Sequence, residues 1–261
     1  FVTQHLAGYT GGTNELRMHG RAVISCISPW NFPIAIFTGQ IAGALAAGNC
    51  VIAKPAEQTA LVAAKVIECF YQAGVPDDVL QFMPGRGEVV GSTLINDQRI
   101  DGVIFTGSTE TAKIIQQGLA KREGPIVPFI AETGGINAMI ADSTALPEQL
   151  VADLVLSAFG SAGQRCSALR VLFIQEDIAD KVLDMLQGAM AEIQVGNPSL
   201  LSTDVGPVID EDARDRLQSH IDKMVGEAEL IYRVDLPDDC DQGTFIAPHA
   251  FLLSNLSQLN C

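Results

Sequence analysis

The stretch Gly102-Val103-Ile104-Phe105-Thr106-Gly107-Ser108-Thr109-Glu110 decides the fold. Residues 102–105 form a short apolar run bounded by turn residues, which reads as a buried strand. Residues 110–120 then carry helical spacing. Gly107 lets the backbone approach a ligand closely, and a Ser or Thr hydroxyl caps the helix. The free N–H groups of its first turn attract phosphate. The same residues also make an ordinary helix start with no ligand.

The alternation repeats upstream. Strands are expected over 21–27, 50–53 and 79–83. Helices are expected over 34–47, 58–73 and 88–95, the second stopped by Gly74-Val75-Pro76. This β-α-β-α order implies an α/β fold with a parallel sheet covered by helices on both faces. Ligands of such sheets bind beyond the carboxyl ends of the strands. The character changes downstream. Segments 129–132 and 137–140 are short and extended, 146–159 is helical and 170–174 is a strand. Amphipathic helices follow over 178–194 and 210–226. A domain boundary falls near Thr133-Gly134-Gly135. Residues 244–248 read as a strand arriving at a turn, and the final FLLSNLSQLNC closes no recognisable element. Both abrupt ends suggest a segment of a longer protein.

Composition narrows the function. Of 261 residues, 48% are hydrophobic and 18% charged, which suits a folded globular protein. The net charge of −15 is opposite in sign to the footprint of a nucleic-acid binder and disfavours anionic lipid. The start lacks the pattern of a signal peptide, and the apolar stretch 34–47 is too short to span a bilayer. Cys26, Cys50, Cys69, Cys166, Cys240 and Cys261 form no CxxC motif and no zinc-like spacing with histidine. Reduced thiols and a cytoplasmic location are expected. The histidines sit in no supporting pattern.

Five motifs could carry chemistry. In Gly163-Gln164-Arg165-Cys166-Ser167, small residues precede a cysteine, the residue type whose thiolate attacks carbonyl carbon. A structural cysteine is the competing reading; the remaining cysteines lie in apolar runs and read as inert core. Glu132 ends an apolar strand, where a carboxylate is costly to bury unless it has a task such as activating water. A strand-end glutamate pointing to solvent is the alternative. Ser28-Pro29-Trp30-Asn31-Phe32-Pro33 is a proline-fixed loop in which Asn31 could donate to an oxyanion. In Lys54-Pro55-Ala56-Glu57, a cation and a carboxylate at a strand end could grip ribose hydroxyls. Gly85-Arg86-Gly87-Glu88-Val89-Val90-Gly91 resembles a dinucleotide fingerprint, with its third glycine one residue late.

Taken in order, SPWNFP, KPAEQT, FTGST, AETGG and GQRCSA resemble the aldehyde dehydrogenase superfamily from about Arg21 to Pro248. The wording of ETGGINAMI and SAGQRCSALR is most similar to the glutamate-semialdehyde dehydrogenases, also called 1-pyrroline-5-carboxylate dehydrogenases. Within them it is most similar to the dehydrogenase half of bifunctional proline utilisation proteins of the PutA type. The resemblance implies a Rossmann-like NAD-binding domain over 1–133 and an α/β catalytic domain over 134–261, truncated at both ends. It makes Cys166 the nucleophile, Glu132 the general base and Asn31 the oxyanion donor, together with the backbone N–H of Cys166. Cofactor contacts are implied for Ser28, Pro29, Trp30, Lys54, Glu57, Gly87, Thr106, Gly107, Ser108, Thr133 and Gly134. Substrate contacts are implied for Phe32, Arg165 and Ser167.

The implied reaction oxidises glutamate 5-semialdehyde to glutamate through a thiohemiacetal and a thioester on Cys166, with NAD as acceptor. NAD is expected over NADP because Glu57 would repel a 2′-phosphate. The implied parent is a larger bifunctional chain with a flavin-dependent proline dehydrogenase domain, a homo-oligomer at full length. A broader-specificity aldehyde dehydrogenase and an inactive nucleotide-binding fragment remain as alternatives. The family's nicotinamide-ribose glutamate and aldehyde-anchoring loop lie beyond this chain.

Overall fold

The computed structural model of the chain describes residues 3–259. It divides into two compact units, one ending at Gly134 and the other beginning at Gly135.

The first unit opens with a short antiparallel pair, β1 (Gln4–His5) and β2 (Glu15–Leu16). It continues through β3 (Val23–Ile27), α1 (Ala35–Ala46), β4 (Cys50–Lys54), α2 (Ala60–Gln72) and β5 (Leu80–Phe82). Then come α3 (Ser92–Asn96), β6 (Gly102–Gly107), α4 (Thr109–Ala120) and β7 (Phe129–Thr133). Strands β3 to β7 form one five-stranded sheet in the order β5-β4-β3-β6-β7, and every pairing is parallel. Alternate side chains leave opposite faces of a strand. Ile24 and Cys26 of β3, with Val51 and Ala53 of β4, therefore pack against Phe37 and Ile41 of α1 and Ile67 of α2. Ile27, Val103 and Phe105 leave the other face and meet Leu94, Ile95, Ala112 and Ile115 of α3 and α4. Phe37, Ile41, Val51 and Val103 are essentially fully buried. Each such side chain contributes about 1.5–3 kcal/mol relative to exposure.

Two helices of this unit depart from the sequence expectation. The helix expected over 58–73 begins as a 3-10 turn, Glu57–Thr59, before α2. The one expected over 88–95 is a π-turn, Gly87–Gly91, leading into α3. A π-turn holds one residue more than an α-turn.

The second unit contains β8 (Asn137–Ala141), α5 (Pro147–Phe159), β9 (Leu169–Ile174), α6 (Glu176–Ala191) and α7 (Glu211–Glu227). It ends with β10 (Glu229–Arg233) and β11 (His249–Leu252). Strands β8 and β9 pair in parallel with a register shift. Asn137 lies opposite Leu169, but Ala138 lies opposite Val171, which leaves Arg170 unmatched as a bulge. Leu150 and Val151 of α5 pack with Val182 of α6 and Ala141 of β8. Leu154, Leu186 and Met190 join Val205, Val234 and Cys240 in a second cluster.

The strand expected over 244–248 is not there. Those residues are irregular, and the strand is β11, antiparallel to β10. Part of the final stretch does close an element: Phe251 and Leu252 finish β11, and Leu256–Leu259 adds a 3-10 turn. Cys261 lies outside the described residues. Among those residues, no helix is long and apolar enough to cross a membrane.

Candidate functional site

In the first unit the chain begins its sheet at the centre, runs outward through β4 and β5, then returns to add β6 and β7 on the other side. The strand order therefore reverses between β3 and β6, and a crevice opens there beyond the carboxyl ends. Ser28 follows β3 directly, and its N–H donates to Lys54 O at 3.1 Å, tying the ends of β3 and β4. Pro29, Trp30, Asn31 and Phe32 continue from it as a half-buried loop. Thr106 and Gly107 end β6. Gln40 of α1 donates its amide to Thr106 Oγ1 at 3.1 Å and to Ile27 O at 3.4 Å, so one buried side chain bridges the two strands of the reversal. Gln40 Oε1 and Ser28 Oγ are buried without a hydrogen-bond partner. Buried polar atoms of this kind ask for a partner, and a bound ligand would supply one.

Lys54 stands next to the reversal at the end of β4 and is 3% exposed. Its ammonium donates to Pro55 O at 3.1 Å and to Glu57 Oε1 at 3.5 Å. The Gly87 N–H donates to the same carboxylate oxygen from the start of the π-turn. Two separate motifs, Lys54 with Glu57 and the loop at Gly87, are thus brought together, with Glu57 exposed. A donor beside an acceptor is what a vicinal diol requires.

At the reversal, Gly107 accepts no side chain: a Cβ there would lie 2.5 Å from the Phe105 ring. Ser108 is the N-cap of α4, its hydroxyl accepting from the Thr111 N–H at 3.2 Å. The backbone approach at Gly107, the helix start, the buried orphans and the Lys54–Glu57 pair together fit a dinucleotide. Glu132, Thr133 and Gly134 lie at and just beyond the end of β7, an edge strand, and Glu132 is exposed rather than buried. The cost of burying a carboxylate therefore gives no argument for its role.

In the second unit, Cys166 occupies a turn built under strain. Helix α5 runs into Ser161 (φ 58°, ψ 32°), Ala162 (φ 54°, ψ 33°) and Gly163 (φ 66°), three consecutive left-handed residues. Gly163 is obligatory, since a Cβ would meet Ala158 O and Arg170 Nη1, each at 2.9 Å. Residues 165–168 then form a turn closed by the Ala168 N–H donating to Arg165 O at 3.1 Å. Cys166 and Ser167 are exposed at its tip, while Ala168 and Leu169 are buried beneath.

Side chains hold this loop by its carbonyls. Arg165 Nη2 donates to Leu156 O at 2.7 Å and to Gly160 O at 3.4 Å. Arg170 Nη2 donates to Gly163 O at 2.6 Å. Gln164 reaches Ser161 O and Pro207 O and accepts from the Ile209 N–H. Asn137 Nδ2 donates to Cys166 O at 2.7 Å and Ala168 O at 2.9 Å. Arg165, expected to meet substrate, makes its bonds to Leu156 O and Gly160 O with its Nη2. Its guanidinium is turned back onto the end of α5, where it braces the loop.

Two of the other thiols, Cys26 and Cys240, are buried. Burial pushes the Cys26 thiol up to about 12. Burial also raises Cys240, helped by Asp239 and Asp241. Cys69 departs from the expected inert core position, because it is exposed on α2. Among the described residues, no group of three His, Cys, Asp or Glu side chains could hold a metal ion.

Gln40, Asn137 and Arg170 escaped the sequence reading. Gln40 left a signal, a lone amide in an otherwise apolar helix. Asn137 and Arg170 left none, because their roles depend on a register shift between two strands.

Comparison with known proteins gives a consistent picture. The model of the family described as "Aldehyde dehydrogenase family" matches residues 3–258. The chain is 53% identical over 244 residues to the bifunctional protein PutA of Klebsiella aerogenes, covering 90% of this chain and 19% of that protein. It is 40% identical over 225 residues to a 1-pyrroline-5-carboxylate dehydrogenase of Bacillus cereus, covering 85% of this chain and 43% of that protein. It thus spans only about a fifth to two fifths of these relatives. Crystal structures of Bradyrhizobium japonicum proline utilization A superpose with a TM-score of 0.93 at 52% identity, covering 98% of this chain and 26% of theirs. A structure of PnpE in complex with nicotinamide adenine dinucleotide matches with a TM-score of 0.90 at 29% identity, covering 96% of this chain and 52% of that one.

Proposed function

The chain belongs to the aldehyde dehydrogenase family, and from that premise we propose that it is the central part of an NAD-dependent glutamate 5-semialdehyde dehydrogenase. The parent reading is a bifunctional proline-oxidising protein that also carries a flavin-dependent proline dehydrogenase domain. The observation that carries the proposal is Cys166, exposed at the tip of a turn whose Cys166 and Ala168 carbonyls are held by Asn137, while Gln164, Arg165 and Arg170 hold carbonyls of the segment that leads into it. The likeness to proteins named PutA and 1-pyrroline-5-carboxylate dehydrogenase supports the substrate.

The roles follow from the chemistry of each group. The Cys166 thiolate forms a carbon–sulfur bond to the aldehyde carbon. Asn31 and the backbone N–H of Cys166 donate to the resulting oxyanion, and one such donor is worth about 3 kcal/mol of barrier. NAD would be held by Ser28, Lys54, Glu57, Gly87, Thr106, Gly107 and Ser108 with Pro29, Trp30, Thr133 and Gly134, and would supply the acceptor for the hydride lost from the former aldehyde carbon as the thiohemiacetal on Cys166 becomes a thioester. Glu132 takes the proton of the water that opens the thioester and releases the acid, restoring the thiol. Ser167, beside the nucleophile, and Phe32 would meet the substrate. The Glu57 carboxylate would favour NAD over NADP.

The test is NADH absorbance with NAD and glutamate semialdehyde, in wild type and in Cys166→Ala. Turnover absent only from the variant is expected. NADH formation retained by Cys166→Ala would sink the nucleophile assignment. A preference for propanal over glutamate semialdehyde would sink the substrate.

A further inference from the structure

The loop that carries Cys166 is too short to hold itself with backbone bonds alone. One backbone bond closes the turn over 165–168. The carbonyls on either side of Ser167, those of Cys166 and Ala168, turn toward β8. There the single amide nitrogen of Asn137 donates to both, at 2.7 and 2.9 Å. Fixing the Cys166 carbonyl fixes the rotation of the backbone just after the Cys166 Cα, and with it the direction in which the side chain leaves.

The bulge explains how Asn137 reaches that position. Opposite Leu169 it is still in register, but the next pair skips Arg170. A bulge re-aims side chains near the end of a pairing. Here it sends Arg170 to Gly163 O on one side of the loop, while Asn137 takes the other. Both N–H groups of a primary amide are donors, and a carboxylate of the same shape has none.

We propose that Asn137 is a positioning residue for the nucleophile, acting through the backbone of Cys166 and Ala168 and touching no substrate. This rests on the reading of Cys166 as the nucleophile. The requirement is for the donors of Asn137 and not for its volume, which sets the order of its variants. For a donor clamp, Asn137→Ala is impaired and the isosteric Asn137→Asp is impaired further, because its oxygens face two carbonyl oxygens. For a space-filling side chain, Asn137→Asp would match wild type and Asn137→Ala would be the worse of the two.

The experiment measures kcat, the KM for NAD and amide hydrogen exchange of the segment 160–168 in the intact protein. A displacement of about 1 Å at a reacting group costs on the order of 10²-fold in rate. We expect kcat to fall about 10- to 100-fold in Asn137→Ala and further in Asn137→Asp. The KM for NAD should move less than about twofold, and exchange should quicken in 160–168 but not in the sheet of the first unit. Wild-type kcat in Asn137→Asp, or unchanged exchange in Asn137→Ala, would overturn the clamp. Should the Asp variant not fold, the near-isosteric Asn137→Leu, which keeps the volume and has no donors, replaces it, and wild-type kcat there would overturn the clamp. Failure of the underlying reading looks different: Cys166→Ala would retain turnover, whereas the exchange result would still report whether Asn137 orders the loop.

Discussion

Replacing Lys54 with methionine should separate cofactor binding from stability. Lys54 is 3% exposed, and its ammonium has two oxygens for three N–H donors, Pro55 O at 3.1 Å and Glu57 Oε1 at 3.5 Å. Taking an ammonium out of water costs several kcal/mol, and only good geometry returns that cost. A contact at 3.5 Å returns little. Methionine keeps the volume of the stem and removes the desolvation cost, while Glu57, exposed, keeps its solvation and its bond from the Gly87 N–H. Stability should therefore change by less than about 1 kcal/mol, in either direction.

Binding should change much more. A hydrogen bond to a charged donor is worth about 1.5–3 kcal/mol. At 1.4 kcal/mol per decade this is about a 10- to 150-fold rise in the Kd for NAD. Trp30, the chain's one tryptophan, lies in the loop after β3 and provides the fluorescence signal for an NAD titration. Thermal and urea unfolding supply the other axis. A Kd within threefold of wild type, or a loss of stability beyond 2 kcal/mol, would refute the reasoning.

Glu132→Gln should form the acyl-enzyme normally but release it slowly. A burst of NADH followed by a slow steady state is expected in stopped flow, and a wild-type steady rate would exclude Glu132 as base. Ser161→Gly removes a left-handed strain of about 1–2 kcal/mol against a glycine entropy cost of about 0.5–1 kcal/mol. Urea midpoints should show a stability equal to wild type or slightly higher; a loss above 1 kcal/mol would mean that Ser161 is unstrained. His249, stacked on Phe251 at 5.7 Å, is held below its usual range by burial, with Arg233 adding to the effect against the Ala247 carbonyl. A lowered folded pKa means that the unfolded state binds the proton first, so stability is full above the ordinary histidine value of 6.5 and declines as pH falls below it. His249→Phe should flatten the melting temperature over that interval, and an unaltered pH profile would count against this account.

The parallel sheet was legible because β3, β4 and β6 are short apolar runs separated by turn residues, a pattern that burial on both faces imposes. The left-handed turn before Cys166 was legible as a cluster of small residues, Gly160 to Gly163. What escaped was set by pairing rather than by local pattern. The β10–β11 pair joins ELIYR to HAFL, neither of which alternates cleanly, and the expected strand was placed five residues early. Arg165 carries a charge next to Cys166 in sequence, which gives no hint of its hydrogen-bond partners. Only the folded loop reveals that its donors face α5. Cys69 sits within an apolar helix pattern, yet the helix turns it outward.

The order of the sheet has a consequence for biosynthesis. Strand β3, the first of its strands to leave the ribosome, is the one that must end up in the middle, between β4 and β6. Its β4 partner begins at Cys50, but its β6 partner begins only at Gly102. Throughout the synthesis of that interval β3 presents one open edge, and its sequence, Val-Ile-Ser-Cys-Ile, is uncharged and free of proline. Such an edge is a template for pairing with another chain. Nascent chains stalled between α2 and β6 are therefore the species most exposed to aggregation, and the ones that a chaperone would most usefully engage.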